Sequence, residues 1–429
     1  MSRWRLAQAR KFIGSGARMS VAQVAGGTFS AQLVALLALP LLSRLYTPEA
    51  FGALAVVLAV SMLLSGVVSL RLELAIPNAV EEHQADSVAW LALGVSALLT
   101  AALLVLAWVP GAGLLSLALS PDYLVWTLIA TLLTAAFTVL SQLFIWRGQF
   151  SLLGLRAFWQ GLVATLSSVV FGLAGMVWTG LLLGQVLGRV AAIGLMAASV
   201  LPGRRTEVSG TRLHWRSLWK YPALFMPAGI LNTLGGQLPL LLTAAWFGAE
   251  AAGLLGVAQR VLVLPAAIVG LAISQVFLGR LAEVRRSGLP HQLKVVRGAA
   301  RILLPVGILL TLGALALAPL MSWLLGGEWV GVSDFVRASC IVYGTAFLAT
   351  PLQQVLVANA RGGINLILDG SRVALVFLAA AAATKAGLSA ADTVFAMSVA
   401  QAINYALTTL AAWWSAREWD KQHSVQADR

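Results

Sequence analysis

The stretch AFGALAVVLAVSMLLSGVVS, Ala50–Ser69, holds no ionisable side chain in 20 positions, and Arg71-Leu72-Glu73 follows almost at once. About 20 apolar residues are what an α-helix needs to cross the hydrocarbon core of a bilayer. A surface helix of a soluble protein would instead break such a run with polar residues every few positions. Ala50–Ser69 is therefore predicted to be a transmembrane span, with the Arg71–Glu73 pair at its aqueous end. The same ruler finds five further spans in the first half: Val21–Arg44, Ala85–Trp108, Tyr123–Ile145, Leu152–Gly175 and Trp178–Leu201. Six follow in the second half: Pro222–Phe247, Ala251–Gly279, Ile302–Leu325, Val332–Asn359, Ile364–Lys385 and Ala390–Trp414. The predicted class is an all-α polytopic membrane protein of about 12 spans in two six-helix lobes, with a short interfacial piece at Leu114–Leu119.

Composition agrees. Of 429 residues, 59% are hydrophobic and 10% charged, against about 25% charged in soluble domains; mean hydropathy is +0.88. The net charge of +13 would suggest nucleic acid in a soluble protein. Here it fits loops that collect Lys and Arg on the cytoplasmic side, and no nucleic-acid partner is expected. One cysteine, Cys340, rules out a disulfide within the chain and reads as a small core residue. The apolar run after Met1–Ser20 is about 24 residues, beyond the 7–15 of a cleaved signal, so it is expected to stay as the first span.

Twelve spans put both termini on one face, expected to be cytoplasmic. That face receives Arg3, Arg5, Arg10, Lys11 and Arg18 from the N-terminal arm, and Arg204, Arg205, Arg212, Arg216 and Lys220 from the central loop. It also receives Arg280, Arg285, Arg286, Lys294, Arg297 and Arg301 from the loop between spans eight and nine, and Arg71, Arg147, Arg361, Arg417, Lys421 and Arg429. The opposite face is left with Arg44 and Lys385.

The chain also repeats. Tyr46-Thr47-Pro48-Glu49-Ala50-Phe51-Gly52 joins spans one and two, as Phe247-Gly248-Ala249-Glu250-Ala251-Ala252-Gly253 joins spans seven and eight. Arg147-Gly148-Gln149-Phe150-Ser151-Leu152 enters span five, as Arg361-Gly362-Gly363-Ile364-Asn365-Leu366 enters span eleven. The expected domains are residues 1–201, a basic linker 202–221, and 222–429. Two parallel repeats that rock about a central site suit alternating access.

Ionisable groups inside spans usually face a bundle interior or a wet cavity. The spans carry Arg156, Arg189, Arg260, Arg337 and Arg372. Arg is always charged, and its planar fork suits bidentate phosphate contacts. The alternatives are local: Arg156 and Arg372 are near enough to an end to snorkel, while Arg372 and Arg337 each have an acid three residues back, Asp369 and Asp334. Arg189 and Arg260 lie deeper. The Arg71–Glu73 pair, like Asp369, is open to a gating or coupling role or to a plain anchoring one. The amides Gln142, Gln160, Gln185, Asn232, Gln237, Gln275, Gln353, Gln354 and Asn404 either bond sugar hydroxyls or tie helices together. Pro40, Pro227, Pro239, Pro265, Pro305 and Pro351 are expected to kink their helices. Trp108, Trp215, Trp219, Trp323, Trp329, Trp413 and Trp414 are expected in an interfacial belt. The chain carries no phosphate-binding Gly-x4-Gly-Lys-Ser/Thr loop, and its four histidines make no metal-ligand pair at helical spacing. No cofactor, metal or catalytic residue is expected.

At these residues the chain resembles a known family. Leu39-Pro40-Leu41-Leu42-Ser43-Arg44-Leu45 running into Tyr46–Gly52, with Ser69-Leu70-Arg71-Leu72-Glu73-Leu74-Ala75-Ile76, looks like the N-terminal signature of bacterial oligosaccharide-lipid flippases. These are the Wzx-like polysaccharide transporters of the MOP superfamily, which also contains MATE exporters and the lipid II flippase. Gly253-Leu254-Leu255-Gly256-Val257-Ala258-Gln259-Arg260-Val261-Leu262, then Pro265, and Gln275-Val276-Phe277 are similar to the same family. The resemblance implies an inner-membrane V-shaped bundle with a basic central cavity. It implies movement of an undecaprenyl-pyrophosphate-linked repeat unit from the cytoplasmic to the periplasmic leaflet, for O-antigen, capsule or exopolysaccharide, beside a polymerase and a chain-length regulator. The cavity cations would be Arg260, where such proteins tend to carry one, with Arg189, Arg372 and Arg156. Few intramembrane acids leave a proton or sodium site open, and the two extra C-terminal spans of the lipid II flippase are missing. The rival readings are a MATE-like exporter, which needs an acidic cavity, a membrane-embedded glycosyltransferase or polymerase, and an assembly scaffold.

Overall fold

The computed structural model describes residues 15–107, 121–200, 218–288 and 290–427. The Leu114–Leu119 piece, the basic stretch 202–217 and most of the N-terminal arm lie outside them. Among the described residues there are helices and turns and no strand. In order they are α1 (Ser15–Leu37), α2 (Leu39–Leu45), α3 (Pro48–Val68), a 3-10 turn (Leu72–Asn78), α4 (Glu82–Ala107), α5 (Pro121–Trp146), α6 (Phe150–Leu173) and α7 (Trp178–Val200). After a π-turn (Tyr221–Phe225) come α8 (Met226–Ser287), α9 (Gln292–Leu325), α10 (Val332–Ala358), α11 (Gly362–Lys385) and α12 (Ala390–Ala427). Ten described helices are long and apolar enough to cross a membrane, or 11 when α1 and α2 count as one bent span. One of the ten is the 43-residue segment Tyr221–Val263. It is broken at Gly248 (φ 88°, ψ 178°), so α8 is two helices, 226–247 and 249–287, and the break supplies the remaining expected span.

One expected proline bend is seen at a helix break. α1 and α2 meet at 44°, with Pro40 in the first turn of α2. α9 and α10 instead run through Pro305, Pro319 and Pro351 as single helices. The sharp break elsewhere belongs to Gly248, whose positive φ an L side chain rarely adopts.

The chain forms two compact units: Met1–Tyr46 with Val57–Ile230, and Thr47–Val56 with Leu231–Arg429. Lipid tails are as apolar as leucine, so burial gives little drive for helices to pair, and close packing of small residues takes over. In the first unit, a Cβ on Gly27 would strike the Gly154 backbone, and one on Gly188 would meet the Gln160 carbonyl. These crossings draw α6 against α1 and α7. In the second unit, a Cβ on Gly52 would run into the Ala249 carbonyl and one on Gly253 into the Pro48 carbonyl. The two glycines hold matching positions in the sequence repeat, so the repeated motif packs against itself. This crossing explains why the start of α3 groups with the second unit. Large side chains remain exposed elsewhere, among them Leu98, Leu309, Leu312 and Leu317, as lipid-facing helices require.

The turns report the repeat more closely than the sequence does. In one, Arg147, Gly148 and Gln149 donate to the carbonyls of Leu143, Ile145 and Phe144; in the other, Asn359, Ala360 and Arg361 donate to Val355, Val357 and Leu356. Gly148 and Ala360 both have positive φ. The structural pairing is thus Gly148 with Ala360, displaced by two positions from the sequence pairing of Arg147 with Arg361. Gly175 and Gly387 close a second matched pair of turns at the same spacing. Trp329 departs from the expected belt. It is 1% exposed and stands edge-on to Phe51 at 5.1 Å, because a 3-10 turn (Gly327–Trp329) folds it inward. Trp219, Trp323 and Trp414 are exposed as expected.

Candidate functional site

The intramembrane arginines fall into two environments. Arg156, on α6, is half-buried and lies 4.0 Å over the Phe137 ring. Its Nε and Nη1 are buried without a hydrogen-bond partner. Arg189, on α7, is half-buried, with Nη1 in the same condition. Gly188 seats against Gln160, one turn from Arg156, so the two arginines come from neighbouring turns of a packed helix pair. Neither forms an ion pair with a described carboxylate. Buried guanidinium donors without acceptors are costly.

Arg372, on α11, is held by the chain itself, although its Nε too is buried without a hydrogen-bond partner. It is 8% exposed. Nη2 donates to the Asn232 carbonyl at 2.6 Å and lies 3.5 Å from Asp369 Oδ1, while Nη1 reaches the Tyr405 hydroxyl at 3.4 Å. The Asn232 amide donates to Asp369 at 3.1 Å. Gly235 makes the room, since a Cβ there would press on the Arg372 guanidinium. Around this pair, Gln401 donates to the Gly235 carbonyl (3.1 Å), and Asn404 to the Leu368 carbonyl (3.0 Å) and Ser371 Oγ (2.9 Å). The network joins helix 226–247, α11 and α12. Asn232 and Asn404 were legible in sequence as helix ties. Gln401 and Tyr405 were missed, although Gln401, Asn404, Tyr405 and Thr408 form a polar stripe at helical spacing on α12.

Arg260, in helix 249–287, is exposed, with its guanidinium 5.5 Å from the Phe51 ring centroid and no carboxylate at ion-pair distance among the described residues. Arg337 is exposed and 3.5 Å from Asp334. Arg71 sits in the first unit. Leu70 (φ 50°) and Arg71 (φ 55°) turn the chain left-handed out of α3, a strained conformation for side-chain-bearing residues. The Arg71 guanidinium fills a notch at Gly66 and Gly229, 3.6 Å from Glu73. Glu73 is 2% exposed. Burial pushes its carboxyl above the usual range, against the weaker opposing pull of its own backbone N–H, Ser69 and Arg71. Of the sequence-predicted residues, Arg156 and Arg189 thus lie on packed helices of the first unit, and Arg372 and Asp369 share a network in the second.

The described helices and their repeat resemble those of solved membrane proteins. A MATE transporter of Vibrio cholerae has TM-score 0.62 and 14% identity, over 93% of this chain and 95% of that one. An inward-facing multidrug resistance MATE family transporter of the MOP superfamily has 0.63 and 13%, over 96% and 97%. The lipid II flippase MurJ, in an inward closed conformation, has 0.64 and 14%, over 93% and 90%. These likenesses establish the fold. The family is set by sequence: residues 41–334 match the family described as polysaccharide biosynthesis protein, and the chain belongs to it. No curated protein matches the sequence.

Proposed function

We propose that this protein is a flippase that carries a polyprenyl-pyrophosphate-linked oligosaccharide from the cytoplasmic to the periplasmic leaflet of the inner membrane, for cell-surface polysaccharide synthesis. The observation that carries this reading is the pair Arg156 and Arg189, with buried donors and no internal acceptor. A pyrophosphate offers planar, multiply charged oxygens that suit guanidinium forks. Arg260 is the further cation free to meet the head group. Residues 1–201 and 222–429 form the two lobes, joined by the linker 202–221, with both termini cytoplasmic. Alternating access between the repeats moves the head group while the polyprenyl tail stays in lipid. Membership of a polysaccharide biosynthesis family supports the sugar cargo. A MATE-like exporter of cations is the weaker reading, because Asp369, the acid furthest inside the described spans, is already engaged by Arg372 and Asn232.

The test is reconstitution in proteoliposomes with a fluorescent pyrophosphate-linked oligosaccharide, reading its accessibility to a membrane-impermeant reagent. Wild type should speed its appearance on the far leaflet. The Arg156→Gln, Arg189→Gln double variant should slow it by roughly tenfold or more, the worth of one or two charge-assisted hydrogen bonds. Wild-type rates in the double variant overturn the proposal.

A further inference from the structure

A second feature lies outside these arginines, at the basic end of a helix pair in the second unit. Helix 249–287 and α9 form a hairpin with a cavity of about 260 Å³ in its side. Its walls are apolar: Ile273, Val276 and Phe277 on one helix, Val295, Ala299 and Ile302 on the other. The charged residue among those lining it is Arg280, at the end nearer the turn. From Arg280 to Ile273 the groove runs about 10 Å, at 1.5 Å per residue. Gly298 also lines it, and a Cβ there would enter open space.

The cations along the hairpin near it form no ion pair with a described carboxylate. Lys294 and Arg301 are exposed and share a face of α9 with Gly298. Neither they nor Arg280 lies at ion-pair distance from a described carboxylate. The neighbouring groups are otherwise engaged. Arg297 lies over Trp413 and Arg285 over Trp419. Asp420 accepts from the Gln292 and Leu293 backbone N–H groups at 2.8 and 3.0 Å. Glu283, a turn beyond Arg280, makes no ion pair. An apolar slot with two unpaired cations, Arg280 and Lys294, at its end nearer the turn matches one chemistry: an acyl chain attached to a phosphate.

We propose that this groove is a binding site for an anionic phospholipid of the surrounding bilayer, its acyl chain between helix 249–287 and α9 and its phosphate held by Arg280 and Lys294 at the end nearer the turn. The occupant is a bilayer lipid and not transported cargo, because the cations are exposed on a hairpin of the second unit and Arg156 and Arg189 belong to the first. Basic residues flanking spans attract anionic head groups in this way.

The full chain in detergent, stripped of lipid and then given phosphatidylglycerol or phosphatidylcholine at equal concentration, tests it by native mass spectrometry. Wild type should retain phosphatidylglycerol in preference. Arg280→Gln with Lys294→Gln, both exposed changes, should erase that preference, by roughly fivefold for each cation removed. Gly298→Leu, which fills the groove from a position with free space, should lower retention of both lipids. Equal retention of the two lipids by wild type overturns the proposal. So does unchanged phosphatidylglycerol retention in both variants. Displacement of phosphatidylglycerol by an equal concentration of undecaprenyl phosphate assigns the groove to cargo and overturns it as well.

Discussion

Arg156 and Arg372 are the same residue type in equivalent helices, α6 and α11, one turn apart by the register of the repeat, and the two units treat them differently. Arg372 meets a carboxylate, a carbonyl and a phenol. Arg156 meets the face of Phe137 and leaves two donors unsatisfied. Arg189, beside it, adds a third. The difference teaches that an intramembrane charge has no meaning by residue type alone. One arginine ties three helices into a rigid unit; the other two keep their charge available at a cost in stability.

The sharpest way to break this contrast is to remove the acid. Asp369→Ala leaves Arg372 buried beside an empty place and should cost about 3–5 kcal/mol, the usual penalty for orphaning a buried pair. Thermal unfolding in detergent reads it, and a further change of Arg372 to Met should recover most of the loss. If Asp369→Ala melts with the parent, the network is not structural.

The opposite result is expected in the first unit. Replacing Arg156 and Arg189 together by Met should leave the melting temperature unchanged or raise it by the equivalent of about 1–3 kcal/mol, since buried charges without partners oppose folding. Transport in the proteoliposome assay should fall in the same variant. A large loss of stability would show that the two arginines hold the unit together.

Glu73 gives a smaller, pH-dependent effect. Its folded carboxyl binds a proton more readily than the unfolded one, because burial raises it. The native state therefore loses stability as pH rises from the ordinary carboxylate range through the raised value, and no penalty exists below that range. Glu73→Gln should melt higher than the parent at neutral pH, by on the order of 1 kcal/mol, and should match it in acid. A constant offset across pH would place the effect in packing instead.

The smallest effect belongs to Arg337. Its pair with Asp334 is exposed, with side chains 50% and 59% accessible. Arg337→Ala should change stability by less than about 0.5 kcal/mol, measured in the same melts as Asp369→Ala. The two pairs share the same i, i+3 spacing, so their difference isolates burial.

By itself the sequence determined the apolar spans, the helical class and the repeat, and offered the pairing of Arg372 with Asp369 as one of two readings, because each rests on local information: runs of about 20 apolar residues, turn motifs, and an acid three residues before a base. The crossing of Gly52 with Gly253, the inward turn of Trp329 and the register of Gly148 with Ala360 needed the tertiary structure. So did the completion of the Arg372 network by Asn232 and Tyr405, and the absence of any such partner for Arg156 and Arg189. Whether a buried donor finds an acceptor depends on which faces of distant helices meet. In a bilayer, small residues spread along every span set those faces, and no short stretch of sequence carries that information.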